Sequence, residues 1–119
     1  MDSKMSALIN AALDKTRAGG LAWKAFSEES FRTPVGTGYL HVRRIWIPAE
    51  DDDRDPTPEV RYSVQVSDAR GRVVAEEDVP AHGPDGPGRL LTDLFGAARE
   101  SALGTSQVLE EMLLALRGA

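Results

Sequence analysis

The sequence contains no cysteine, and only two of its 119 residues are histidine. Without cysteine the chain cannot form disulfides, bind zinc through thiolates or use a thiol as a nucleophile. One histidine, His41, is followed closely by Arg43, whose charge opposes protonation of a nearby imidazole. No serine stands in a nucleophile-elbow sequence. We therefore expect no catalytic residue, metal or cofactor, and the missing thiols favour a cytoplasmic location.

Long apolar runs and an excess of positive charge are also missing. No stretch approaches the roughly 20 apolar residues that span a membrane, and the first helical segment is amphipathic, unlike the core of a signal peptide. The 14 basic residues are outnumbered by 19 acidic ones, which gives a net charge of −5. Such a chain repels polyanions. We therefore expect neither a membrane nor a nucleic acid as partner.

Length and composition are those of an ordinary globular domain. Hydrophobic residues make up 41% of the chain and charged residues 28%. A chain of this size can bury a core without help from metals or disulfides. We predict a single domain over residues 1–119.

The clearest structural signal is the alternation of residues 60–67. Every second residue, starting at Val60, is apolar, and the residues between are polar. This period of two is typical of a strand with one buried face. Asp68 and Gly71 follow and suit a tight turn. The pattern predicts a β-hairpin over residues 60–79.

Helical spacing appears at both ends of the chain. Residues 3–18 carry one apolar stripe, and residues 89–117 carry two stripes separated by Gly104. Between them, residues 39–47 resemble a strand, and residues 21–33 resemble one strand interrupted near its middle. Strands grouped between helices indicate an α+β fold with an N-terminal helix, an antiparallel sheet of three to four strands and two C-terminal helices.

The apolar faces of these elements predict one shared core. Its expected members are Trp23, Tyr62, Val64, Leu94 and Leu113.

Two connectors separate the predicted elements. Residues 48–59 contain three prolines and a run in which five of six positions are acidic. Like charges repel and proline lacks an amide donor, so this segment is predicted to be a mobile acidic loop. Residues 80–88 are rich in glycine and proline and are predicted to be a flexible connector.

Four short stretches carry a family resemblance. They are Leu-Ala-Trp at 21–23, Ser-Phe-Arg-Thr at 30–33, Ala-Ala-Arg at 97–99 and Ser-Ala-Leu-Gly at 101–104. With these stretches the chain resembles short uncharacterised bacterial proteins of a helix–sheet–helix plan. The resemblance implies the fold and carries no activity with it.

The acidic loop is one candidate ligand site. Asp51, Asp53 and Asp55 have the spacing of the first three ligands of a calcium loop. However, Pro56 stands where that loop needs glycine, and Tyr62 stands where it needs a bidentate glutamate. We therefore interpret the segment as a solvated loop without a metal.

A second candidate lies at the start of the first C-terminal helix. A glycine-rich backbone that enters a helix N-terminus can hold an anion, and His82, Gly88 and Arg89 stand at this point. Pro84 and Pro87 remove two amide donors from the loop. The alternative function for this chain is therefore a small-ligand or anion-binding domain that uses residues 82–89.

The leading expectation is a protein-interaction module without catalytic activity, such as an adaptor, a regulator or a chaperone-like subunit. The last helix is expected to carry the interaction surface, through an adaptable Met112 and through Leu114, which stands among polar residues and is expected to be exposed. Arg43 and Arg61 form a candidate basic patch on neighbouring strands. The expected partner is a protein, either another chain or a second copy in a homodimer.

Overall fold

The computed structural model describes residues 1–48, 59–81 and 86–118. It contains three helices and five strands within these residues. In chain order they are α1 (Ser3–Arg17), β1 (Lys24–Ser27), β2 (Ser30–Val35), β3 (Gly38–Ile47), β4 (Glu59–Ser67), β5 (Val73–Pro80), α2 (Pro87–Leu103) and α3 (Thr105–Gly118).

The first helix begins and ends where its sequence predicts. The Asp2 carboxylate accepts a hydrogen bond from the backbone N–H of Lys4 at 2.8 Å and so caps the N-terminus. At the other end, Gly19 has a φ of 78°, which stops the helix at low steric cost. The helix buries one stripe, which consists of Met5, Ile9, Ala12, Leu13 and Thr16.

The sheet is an antiparallel meander in which each strand pairs with the next along the chain. The predicted α+β fold is confirmed, with five strands rather than three to four. The hairpin expected over residues 60–79 is present as β4 and β5.

The extra strand comes from residues 21–33, where the prediction of a single interrupted strand was wrong. The chain reverses at Glu28 and Glu29, so that β1 and β2 form a hairpin. Two hydrogen bonds hold this turn. The Ser27 hydroxyl accepts from the backbone N–H of Glu29 at 3.1 Å, and the Glu29 carbonyl accepts from the backbone N–H of Arg44 at 2.9 Å.

Helices α1 and α2 cover one face of the sheet, and a single core lies between the layers. Trp23, Tyr62, Val64 and Leu94 belong to this core, as predicted. The prediction for Leu113 was wrong, because its side chain is 50% exposed on α3.

A buried polar contact joins α1 to the start of β1. The indole N–H of Trp23 donates to the Thr16 hydroxyl at 2.9 Å. The same hydroxyl donates to the Ala12 carbonyl at 2.6 Å. The one polar atom of the Trp23 ring is therefore satisfied inside the core.

Both predicted connectors are shorter than the sequence indicated. β4 already begins at Glu59, β5 continues to Pro80, and α2 begins at Pro87. The remainder of the acidic loop, 49–58, and of the second connector, 82–85, lies outside the described residues.

Two glycines give opposite predictions for the same substitution. A methyl group added at Gly38, at the start of β3, would lie 2.2 Å from the Ser67 carbonyl oxygen. Gly38→Ala should therefore lower the free energy of unfolding by about 1–3 kcal/mol through overpacking against fixed backbone.

Gly96 is exposed in the interior of α2, and a methyl group there would meet no atom within 4 Å. Gly96→Ala should raise stability by about 0.5–1 kcal/mol, because alanine favours the helix. Urea unfolding of both variants measures whether the free energy of unfolding falls or rises. A stable Gly38→Ala protein would show that the β3–β4 register is wrong.

Candidate protein-interaction surface

The most unusual feature of the molecule is the position of α3. Its sequence is amphipathic, and it follows α2 after one left-handed residue, Gly104, with a φ of 60°. The amide of Gly104 donates to the Glu100 carbonyl at 2.9 Å and closes the last turn of α2. Within the described part of the chain, α2 is the only element whose Cα atoms come within 8 Å of α3, and the side chains of residues 107–118 are exposed.

The apolar side chains of α3 are exposed. Five of them share one side of the helix by the period of about 3.6 residues, and we call this side the α3 apolar face. Its members and their exposed fractions are Val108 (43%), Leu109 (56%), Met112 (59%), Leu113 (50%) and Leu116 (78%). The sequence predicts that this side packs on the domain. The structure leaves it open instead.

Leu114 lies on the opposite, polar side of α3. It is 63% exposed, as the sequence predicts. Its neighbours there include Gln107, whose amide donates to the Glu111 carboxylate at 3.3 Å. One exposed leucine on a polar surface is ordinary. The five residues of the α3 apolar face are therefore the larger anomaly.

The described residues leave the α3 apolar face exposed. The residues outside the described part, 49–58, 82–85 and 119, include no apolar side chain larger than alanine except proline. Contiguous apolar surface of this extent usually marks a binding surface. The α3 apolar face is accordingly the best candidate functional site in the molecule.

Arg43 and Arg61 lie on the face of the sheet that α1 and α2 leave uncovered, which we call the open face. Arg61 contacts the carboxylates of Asp78 at 2.6 Å and Glu59 at 2.9 Å, and these hydrogen bonds raise its pKa. Arg43 Nη2 lies 4.0 Å from the Glu76 carboxylate. Acidic side chains thus accompany both arginines, whose role in partner binding stays a prediction.

Sequence reasoning missed a different cluster on the open face. The guanidinium of Arg32 lies between two aromatic rings, 4.7 Å from the centre of Phe26 and 4.5 Å from that of Tyr39. Recognition of the turn at residues 28–29 would not have been enough, because a regular hairpin around it pairs Phe26 with Phe31. The bulge between Ala25 and Ser27 shifts this register, pairs Ala25 with Phe31 and brings Phe26 beside Arg32.

The predicted anion site is only partly described, since His82 lies outside the described residues. Gly88 is buried in the first turn of α2, where its carbonyl accepts from the Thr92 hydroxyl at 2.7 Å. Arg89 is exposed, and its Nε donates to the Asp93 carboxylate at 3.2 Å. An anion-binding role for this segment therefore stays a prediction.

The calcium candidate formed by Asp51, Asp53 and Asp55 falls outside the described residues altogether. Across residues 1–48, 59–81 and 86–118, no three side chains of histidine, aspartate or glutamate come together in a way that suits a metal ion. Within the same residues, no helix is both long and apolar enough to cross a membrane.

Arg44 anchors the β1–β2 turn to the core side of the sheet. It forms a two-pronged ion pair with Glu29, through Nε at 2.5 Å and Nη2 at 2.9 Å. Its guanidinium also lies 4.9 Å from the ring centre of Phe95 on α2. The hydrogen bond from Arg44 is the main reason that the pKa of Glu29 is lowered. Arg44 therefore links the β1–β2 turn to α2.

Comparisons with known protein families, with curated proteins and with solved structures found no match to this chain. The resemblance to short bacterial proteins therefore stays a prediction.

The Glu29–Arg44 pair predicts a pH dependence of stability. Since folding lowers the pKa of Glu29, the pair stabilises the fold above pH 4.5, the ordinary pKa of this carboxyl, and its contribution is lost as the pH falls below that value. Glu29→Gln should lower stability at pH 7 by about 0.5–1 kcal/mol, because the pair is partly exposed. The variant should lose less stability than wild type between pH 5 and pH 3.

Thermal unfolding followed by circular dichroism at a series of pH values measures this effect. Glu28→Gln, in the same turn and exposed, is the matched control and should behave like wild type. Parallel pH profiles for wild type and Glu29→Gln would contradict the assigned role.

Proposed function

We propose that this protein is a non-enzymatic protein-interaction module that binds through the α3 apolar face. The single observation that carries the proposal is that five large apolar residues lie on one side of a helix and are all at least 43% exposed. A helix that lays its apolar face against a partner is a common mode of recognition.

Covering this face yields a free-energy gain comparable with the cost of association. Burial of one such side chain from full exposure is worth about 1.5–3 kcal/mol, and these five are roughly half exposed. Together they contribute on the order of 4–9 kcal/mol, which offsets the lower part of an association cost of the order of 4–15 kcal/mol. Met112 at the centre of the face adapts easily to a partner surface because its side chain is unbranched.

The occupant that fits best is the α3 apolar face of a second copy. A side chain of this size presents on the order of 100 Å², so two copies bury about 1,000 Å² together, which is where specific interfaces begin. An isologous pair is the commonest form of homo-oligomer. In such a pair the two α3 helices run antiparallel and cross near Leu113. Glu110 of one copy then lies beside Arg117 of the other, so opposite charges flank the seam, the line along which the two α3 apolar faces meet.

The proposal predicts different results for two neighbouring leucine variants. Leu113→Glu places a charge in the seam and should convert a dimer into a monomer, since burial of an unpaired charge is costly. Leu114→Glu makes the same chemical change on the opposite side of α3 and should leave the dimer intact. Size-exclusion chromatography with light scattering measures the mass, and circular dichroism confirms that both variants fold.

The mass of the wild type also shows whether the α3 apolar face binds a second copy or a different protein. If wild type is a monomer at high concentration, the second copy is not the occupant, and affinity capture from the native cell with wild type and Leu113→Glu tests a different protein. If no captured protein depends on Leu113 either, the proposed function is wrong. Dissociation by Leu114→Glu alone would show that the polar side of α3 carries the contact.

A further inference from the structure

The open face of the sheet carries a second feature, which is independent of α3. Lys24, Arg32 and His41 are direct register partners on β1, β2 and β3, so their side chains point to the same side in one row. Adjacent strands lie about 4.8 Å apart. The row therefore places three basic side chains within about 10 Å on a surface that no described helix covers.

Arg32 contacts two aromatic rings within this row. Its guanidinium lies over the rings of Phe26 and Tyr39, at 4.7 and 4.5 Å from their centres. A guanidinium that stacks on a ring keeps the N–H groups at its edge free to donate.

The positive charges of this row have no neutralising partner among the described residues. Neither Lys24 nor Arg32 has a carboxylate within 4.0 Å there, whereas Arg43 and Arg61 on the same face do. Along the register, the row continues through Gln65 to Glu76 on β5. Glu76 is thus three strand spacings, or about 14 Å, from Arg32 along the sheet. This distance exceeds the screening length of about 8 Å at physiological salt, so Glu76 does not neutralise Arg32.

The side of the row next to β3 is polar and crowded with positive charge. Nε2 of His41 forms a hydrogen bond with the Ser30 hydroxyl. Burial, followed by the charges of Arg43 and Arg32, lowers the pKa of His41. The buried Nε of Arg43 has no acceptor among the described residues. An anion bound beside Arg32 and Arg43 would offset the charges that oppose protonation of His41.

We propose that the row formed by Lys24, Arg32 and His41 binds an acidic peptide segment of a partner protein, whose carboxylates pair with Arg32 and Lys24. Phe26, which is 55% exposed beside Arg32, supplies an apolar contact for the residue that flanks those carboxylates.

The shape and charge of the surface favour a peptide over other anions. A small molecule needs a concave site that encloses most of its surface, whereas this row lies across an open sheet. Single-stranded nucleic acid binds by stacking bases on aromatic rings, and here Arg32 occupies one face of both Phe26 and Tyr39. The net charge of −5 also repels a polyphosphate at long range.

Titration of the folded protein with an oligoglutamate peptide tests the proposal. Nuclear magnetic resonance should show saturable shifts at Lys24, Arg32 and His41. Arg32→Gln should weaken binding about two- to fivefold, since an ion pair at an exposed site is worth at most about 1 kcal/mol. Lys24→Gln should weaken it less. Arg70→Gln makes the same charge change at the exposed tip of the β4–β5 hairpin and should leave binding unchanged.

The remaining outcomes each overturn the proposal. Equal weakening by Arg32→Gln and Arg70→Gln would show that only the overall charge matters. Tighter binding of oligothymidylate than of the peptide would assign the surface to nucleic acid. If inorganic phosphate binds as tightly as the peptide, the row is a simple anion site. If no probe gives a saturable shift, the row is not a binding site.

Discussion

The packing of α2 on the sheet is the interaction on which the rest of this structure depends. Phe95 lies at its centre, with its ring 5.4 Å from that of Phe31 and 5.3 Å from that of Tyr62. These contacts join α2 to β2 and β4, and Arg44 on β3 adds its guanidinium at 4.9 Å. Aromatic pairs at such distances stabilise beyond the area that they bury. One side chain therefore ties three strands to one helix.

This packing explains why α3 remains outside the core. Five strands at about 4.8 Å spacing make a sheet about 19 Å wide, and two helices of about 10 Å diameter each fill that width. Helices α1 and α2 already occupy it, so a third helix finds no uncovered part of the same face. The open face carries the charged side chains of Lys24, Arg32, Arg43 and Arg61, and their burial under an apolar helix would be costly. The exposure of the α3 apolar face is thus a consequence of sheet width and supports a role in binding.

Most of the fold could be predicted from periodicity, whereas the candidate sites depended on tertiary placement. Strict alternation after Val60 defined the central hairpin, because its buried face must be apolar. The turn at residues 28–29 was missed, since its polar residues resemble an interruption as much as a reversal. Leu113 was misplaced for a different reason. An amphipathic pattern shows that a helix needs an apolar neighbour, and it does not show whether that neighbour belongs to the same chain.

Amide hydrogen exchange of α3 at several protein concentrations tests the central claim most directly. An isolated helix of 14 residues has marginal stability in water, so α3 amides should exchange quickly in dilute solution. If two copies pair through α3, the protection of these amides should rise with protein concentration, while the protection of α2 stays constant. Strong protection of α3 in dilute monomer would contradict the account, because it would mean that the helix is packed within its own chain.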